Sequence, residues 1–121
     1  MRYSFICYKR CTTCIRAKKW LEDRGIDFEW RDIDTKNPGL DELGAWVKLS
    51  GLPLSKLFNT SGIKYRELGL SGKLKSMSDD EMLSLLSSDG MLVKRPMLIG
   101  GGKALFGFSE EMWARELGTD I

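Results

Sequence analysis

Histidine is absent from all 121 residues. That absence removes imidazole general-base catalysis, the serine and cysteine triads built on it, and every histidine-containing metal site. Cysteine is scarce and odd in number, at Cys7, Cys11 and Cys14 alone. Such a count argues against a disulfide framework and for one reactive site in a reducing compartment. No apolar run nears the roughly 20 residues that a bilayer span requires. The apolar start from Met1 to Cys7 is cut short by Lys9 and Arg10, too soon for a signal peptide, so a cytoplasmic protein is expected. Neither sign of charge dominates: 19 Lys and Arg face 17 Asp and Glu, and a net +2 makes no global case for nucleic acid or acidic membrane.

What is present suits one soluble domain over residues 1–121, with 42% hydrophobic and 30% charged residues. A chain of this size hides roughly two-thirds of its unfolded surface, enough for a core without disulfide staples. Tyr3, Phe5, Ile6 and Cys7 form a short apolar run suited to a buried strand. A helix follows to about Arg24, with Cys14, Ala17, Trp20 and Leu21 at helical spacing and Gly25 as its C-cap. Ile26, Phe28 and Trp30 alternate with Asp27, Glu29 and Arg31, the pattern of a second strand.

Beyond the Asn37-Pro38-Gly39 turn, Leu40, Leu43 and Val47 predict a helix ending near Gly51 and Pro53. Short helical pieces are expected at Leu54 to Phe58 and at Lys64 to Leu68. Ser78-Asp79-Asp80-Glu81 has capping-box spacing ahead of Met82, Leu83, Leu85 and Leu86. Met97 to Ile99 and Ala104 to Phe106 read as a hairpin around Gly100-Gly101-Gly102. Ser109 caps a last helix carrying Met112, Trp113 and Leu117. The order β-α-β-(helices)-β-β-α predicts an α/β, thioredoxin-like fold. Its sheet is four-stranded and mixed, with a helical insertion at about residues 37–90.

Cys11-Thr12-Thr13-Cys14 stands where the first strand hands over to the first helix. There, unpaired backbone N–H groups and the positive dipole end favour a thiolate at Cys11. Cys14 falls one turn later, within reach, so it can resolve an attack made by Cys11. Lys9, Arg10, Arg16, Lys18 and Lys19 surround the motif with no acidic residue between them, and Thr12 and Thr13 add hydroxyl donors. Two other readings compete. A zinc half-site would need a second chain to complete four ligands, and an inert pair of core cysteines would do no chemistry. Cys7, inside the strand, is expected to act as a small hydrophobe. Lys94-Arg95-Pro96 precedes the third strand, on a loop that faces the CxxC helix in a thioredoxin plan. Arg95 is then either a second cation near the sulfurs, suited to oxyanions, or a surface residue beside a turn; the bond to Pro96 can be cis.

Together these residues resemble the arsenate reductase/Spx family of the thioredoxin superfamily. The resemblance runs from about Tyr3 to Leu117. It is carried by Cys11-Thr12-Thr13-Cys14 with Ala17, by Asn59-Thr60 ahead of Tyr65-Arg66-Glu67-Leu68-Gly69-Leu70, and by Lys94-Arg95-Pro96-Met97-Leu98-Ile99. It implies a nucleophilic Cys11 and an oxyanion-binding Arg95; the family's arsenate reductases usually carry serine where Cys14 stands, while its Spx branch uses the Cys11–Cys14 pair as a disulfide switch. Thr12, Thr13, Lys9, Arg10, Arg16, Asn59 and Pro96 would make up the rest of the site. It implies no metal and no bound cofactor, with electrons supplied by glutathione or a redoxin such as glutaredoxin or thioredoxin.

The family's arsenate reductases use three arginines. Here Arg95 is in place, Asn59 stands where another is expected, and Leu105-Phe106-Gly107-Phe108 offers none for the third. Losing two charge-assisted contacts, each worth roughly 1.5–3 kcal/mol, makes efficient arsenate reduction unexpected. The expected activity is therefore thiol-disulfide exchange. The alternative is an Spx-like redox-sensing regulator that binds the RNA polymerase α subunit, not DNA, through the region around Gly51.

Overall fold

The computed structural model describes residues 2–118. The chain runs β1 (Tyr3–Cys7), α1 (Thr12–Asp23), β2 (Phe28–Asp32), α2 (Leu40–Ser50), α3 (Ile63–Glu67), α4 (Asp79–Ser88), β3 (Met97–Gly100), β4 (Lys103–Phe106) and α5 (Glu110–Leu117). Short 3-10 turns occupy Leu54–Leu57, Leu70–Gly72, Leu74–Ser76 and Gly90–Leu92. The described residues fall into two compact units, 2–32 with 95–118, and 33–94. The expected helical insertion at residues 37–90 thus corresponds to a unit that begins and ends four residues further out.

In the first unit, β1 and β2 are parallel, with Tyr3 opposite Phe28 and Cys7 opposite Asp32. A parallel pair needs a crossover, and α1 supplies it. β3 runs antiparallel to β1 and β4 antiparallel to β3, giving the order β2-β1-β3-β4. Gly100 pairs with Lys103, so the hairpin turn is Gly101-Gly102 alone and not all three glycines. Both have positive φ, +59° and +74°, the conformation that a two-residue hairpin turn demands and that glycine adopts without steric cost.

Side-chain alternation divides the sheet into two faces. Phe5 and Cys7 of β1, Leu98 of β3 and Leu105 of β4 meet Cys14, Ala17, Trp20 and Leu21 of α1 and Trp113 and Ala114 of α5 in one apolar cluster. Trp113 is its centre. It is fully buried and meets Phe108, Trp20 and Phe5 edge-on at centroid distances of 4.9, 6.1 and 6.3 Å. Its indole N–H donates to the Gly107 carbonyl at 3.0 Å, which satisfies the one polar atom it buries. Ser109 Oγ accepts the Met112 N–H and caps α5.

In the second unit, α2 is braced by Glu42, whose carboxylate accepts the Gly39 N–H at 3.0 Å. Of the stripe Leu40, Leu43 and Val47, only Leu43 is buried; Leu40 is 48% exposed. Leu40 lies in the opening turn of α2. With Val47, Leu52, Leu54, Leu74 and Met82 it lines an open groove of about 1120 Å³. α4 carries the expected capping box: the Glu81 N–H donates to Ser78 Oγ, and the Ser78 N–H donates to Glu81 Oε1. A Cβ on Gly90 would lie 2.0 Å from the Ile33 carbonyl oxygen, so only glycine fits this backbone crossing. The Asn37 side-chain amide donates to the Ser87 carbonyl nearby, at 2.6 Å.

Candidate active site

Three sulfurs gather where β1 gives way to α1. The Cys11 N–H donates to the Tyr8 carbonyl at 3.0 Å, which closes residues 8–11 into a turn. The Cys11 carbonyl then accepts the Ile15 N–H at 3.1 Å and starts α1. Cys11 is therefore the N-cap residue, extended at φ −87° and ψ 118°, and its sulfur makes no capping hydrogen bond to the first turn. It is half-buried, whereas Cys7 and Cys14 are fully buried. All three cysteines are free thiols.

Hydrogen-bond donors converge on Cys14. The Cys7 thiol is the strongest influence, and the Tyr8 backbone N–H and the Cys11 thiol add to it, as does the charge of Arg95. Burial opposes them, and the balance lowers the Cys14 thiol to about 7. Cys7 moves the other way. Burial first, then its hydrogen bond to Cys14 and the neighbouring sulfurs, push its thiol far above the ordinary range, so it stays protonated. The donors that the fold assembles act on Cys14, one turn beyond the helix start.

Arg95 lies on the loop ahead of β3, half-buried, with its guanidinium carbon 5.2 Å from the centre of the Tyr8 ring. Its positive charge favours the thiolate at Cys14. The Arg95–Pro96 peptide bond is cis, Pro96 is buried, and its carbonyl accepts the Gly107 N–H at 2.8 Å.

The remaining candidates stand elsewhere. Lys9 and Arg10 are exposed on the turn, and Arg16 borders a cavity of about 370 Å³ lined also by Trp20, Arg24 and Phe108. Lys18 lies over the Trp30 ring at 5.9 Å, and Lys19 pairs with Asp23 at 3.8 Å. The cation that acts on Cys14 is Arg95 and not one of these five; Arg16, Lys18 and Lys19 stand on α1 positions that radiate away from its inward face, and Lys9 and Arg10 precede the helix. Thr12 is exposed and Thr13 half-buried; neither hydroxyl is among the donors on Cys14. Asn59 belongs to the second unit, where its N–H donates to the Leu92 carbonyl at 2.8 Å and its carbonyl accepts the Gly62 N–H.

Two contributors were not anticipated. Tyr8 acts through its backbone N–H and through the ring beneath Arg95, and no side-chain pattern announces either. Cys7, expected only to fill space, is the chief donor. The alternation that puts it on the face of Phe5, beneath α1, is the signal that could have found it. Among the described residues, no group of three or more cysteine and carboxylate side chains is arranged to hold a metal ion. No described helix is long and apolar enough to cross a membrane.

Residues 7–115 match the model of the ArsC family. The uncharacterized protein YusI of Bacillus subtilis is 50% identical over 113 residues, which cover 93% of this chain and 96% of that protein. A crystal structure of an ArsC-family-related protein from Bacteroides fragilis superposes with a TM-score of 0.92 at 46% identity, covering 95% of this chain and 97% of the other. The regulatory protein MgsR of Bacillus subtilis is 27% identical, over 88% of this chain and 82% of its own length. The fold shared with these structures is the thioredoxin-like one.

Proposed function

The chain belongs to the ArsC family, and from that premise we propose that it is a thiol-disulfide oxidoreductase. The observation that carries this reading is the contrast within one turn of helix: Cys11 is partly open to solvent, and Cys14 behind it is buried and lowered to about 7. In this reading the Cys11 thiolate attacks a substrate disulfide. One substrate sulfur leaves as a thiol after taking up a proton, and the other forms a mixed disulfide with Cys11. The Cys14 thiolate then attacks Cys11 Sγ, expels the second substrate thiol and forms the Cys11–Cys14 disulfide. Two electrons pass from the protein to the substrate. Glutathione or a redoxin returns them, itself becoming oxidised, and restores both thiols.

Arg95 orients an anionic group of the substrate. Pro96, buried next to it, fixes the loop that carries it. Arsenate is a poor substrate on this account, because a single arginine cannot replace three bidentate partners. Glutathione-coupled reduction of a small disulfide tests the reading. Cys11→Ser abolishes turnover, while Cys14→Ser retains glutathione-dependent activity because external thiol resolves the adduct. Equal activity of Cys11→Ser and the parent protein removes the assignment.

A second reading is a redox-sensing regulator resembling Spx, in which the state of Cys11 and Cys14 sets affinity for the RNA polymerase α subunit. The likeness to MgsR favours it, as does the apolar groove beside Gly51 with Leu40 and Leu52 exposed. Co-purification with purified α subunit, with and without reductant, tests it; no binding in either state excludes it.

A further inference from the structure

Resting on the exchange reading above, with Arg95 as its anion-binding group, we propose that Tyr8 is a positioning residue. Its ring holds the Arg95 guanidinium beside the turn that carries Cys11, and so favours disulfide partners that bear a carboxylate. The Tyr8 carbonyl accepts the Cys11 N–H at 3.0 Å, and the Tyr8 ring centre lies 5.2 Å from the guanidinium carbon of Arg95. The second distance is within the reach of a cation–π attraction, about 6 Å. One residue therefore joins the exposed thiol, through its backbone, to the cation that serves it, through its side chain.

Register explains why these two residues meet. β3 runs antiparallel to β1, and Ile6 opposite Met97 is the last pair of their ladder. Continuing that register brings Cys7 opposite Pro96 and then Tyr8 opposite Arg95. Proline has no N–H to give, so it donates no ladder bond to β1. Arg95 follows with a long side chain of many rotamers, and a flat ring gives its guanidinium a face to lie on. Both residues are half-buried, so water screens the contact only in part. The charge of Arg95 also reaches Cys14, as a guanidinium held near the sulfurs should. Tyr8→Leu keeps the backbone bond to Cys11 and removes the aromatic face.

The test is alkylation of the reduced protein by iodoacetate, an anion, and by iodoacetamide, its neutral counterpart, with modification at Cys11 followed by tandem mass spectrometry. The ratio of the two rates cancels any change in the thiol itself and reports the cation beside it. Loss of a unit charge near the site slows an anion by roughly threefold, so Arg95→Gln should lower the ratio by that factor. Tyr8→Leu should lower it by about twofold or more, and Tyr8→Phe, which keeps the ring, should hold the parent ratio. If Tyr8→Leu does not fold by circular dichroism, Tyr8→Met takes its place. A parent-like ratio in the ring-less variant overturns the proposal, and so does a Tyr8→Phe ratio as low as that of Tyr8→Leu. A ratio that Arg95→Gln leaves unmoved removes the anion role of Arg95 and the proposal with it. Alkylation involves no turnover, so the ratio can be read whether or not the oxidoreductase assignment survives its own test.

Discussion

The resolving step can be isolated by loading Cys11 of the reduced protein with an aromatic thiol as a mixed disulfide. Attack by Cys14 then releases a chromophore, and the rate follows the ionised fraction of Cys14. The mixed disulfide removes the Cys11 donor but keeps Cys7, the Tyr8 N–H and Arg95, the first of them the largest influence; with the Cys14 thiol held at about 7, that fraction is about one-eleventh at pH 6, one-half at pH 7 and ten-elevenths at pH 8. The release rate should therefore climb about tenfold between pH 6 and pH 8 and then level off. A cysteine in the ordinary range near 8.5 would give about a 75-fold rise over the same interval and still be climbing beyond it. Stopped-flow absorbance across that range decides between them. A rate that keeps rising past pH 8.5 without a plateau refutes the convergence of donors on Cys14.

The same linkage governs stability. A thiol whose folded value lies below its unfolded value adds stability at high pH and loses it as pH falls through the folded value. The reduced protein should therefore gain about 2 kcal/mol from pH 6 to pH 8.5 in urea unfolding, and Cys14→Ser should abolish that gain. Above the usual cysteine range the slope should reverse, because Cys7 keeps its proton in the fold and releases it on unfolding. Ser78→Ala removes one half of the α4 capping box and should cost about 1 kcal/mol in denaturant unfolding. Trp113→Ala empties the centre of the aromatic cluster and frees the Gly107 carbonyl, at an expected cost of about 3–5 kcal/mol measured the same way.

Local signals carried most of the architecture. Alternation marked β1 and β2, the Ser78 and Ser109 caps opened α4 and α5, and the glycines between Ile99 and Lys103 marked the hairpin. Each depends on neighbours a few residues apart, which a sequence displays directly. Where the outcome depends on distant partners, less was visible. The 3-10 turns at Leu70–Gly72, Leu74–Ser76 and Gly90–Leu92 have too little periodicity to announce themselves, and Leu40 carries the right residue type on a position left open. At the site, spacing identified Cys11 and Cys14. It could not show that the lysines and arginines beside them in sequence point away while Arg95, from the far side of the second unit in the chain, supplies the charge. The hydrogen bond from Cys7 arises from register and helix phase together, and neither alone predicts it.

Thiol-disulfide exchange requires Cys11 and Cys14 to form a reversible disulfide, and a tryptic map tests this most directly. Cleavage after Lys9, Arg10 and Arg16 puts both cysteines on the peptide Cys11 to Arg16 and leaves Cys7 on another. After mild oxidation this peptide should be two hydrogens lighter by mass spectrometry, and glutathione should restore its mass. A Cys11–Arg16 peptide that keeps both free thiols through oxidation, or a disulfide found to include Cys7, contradicts it.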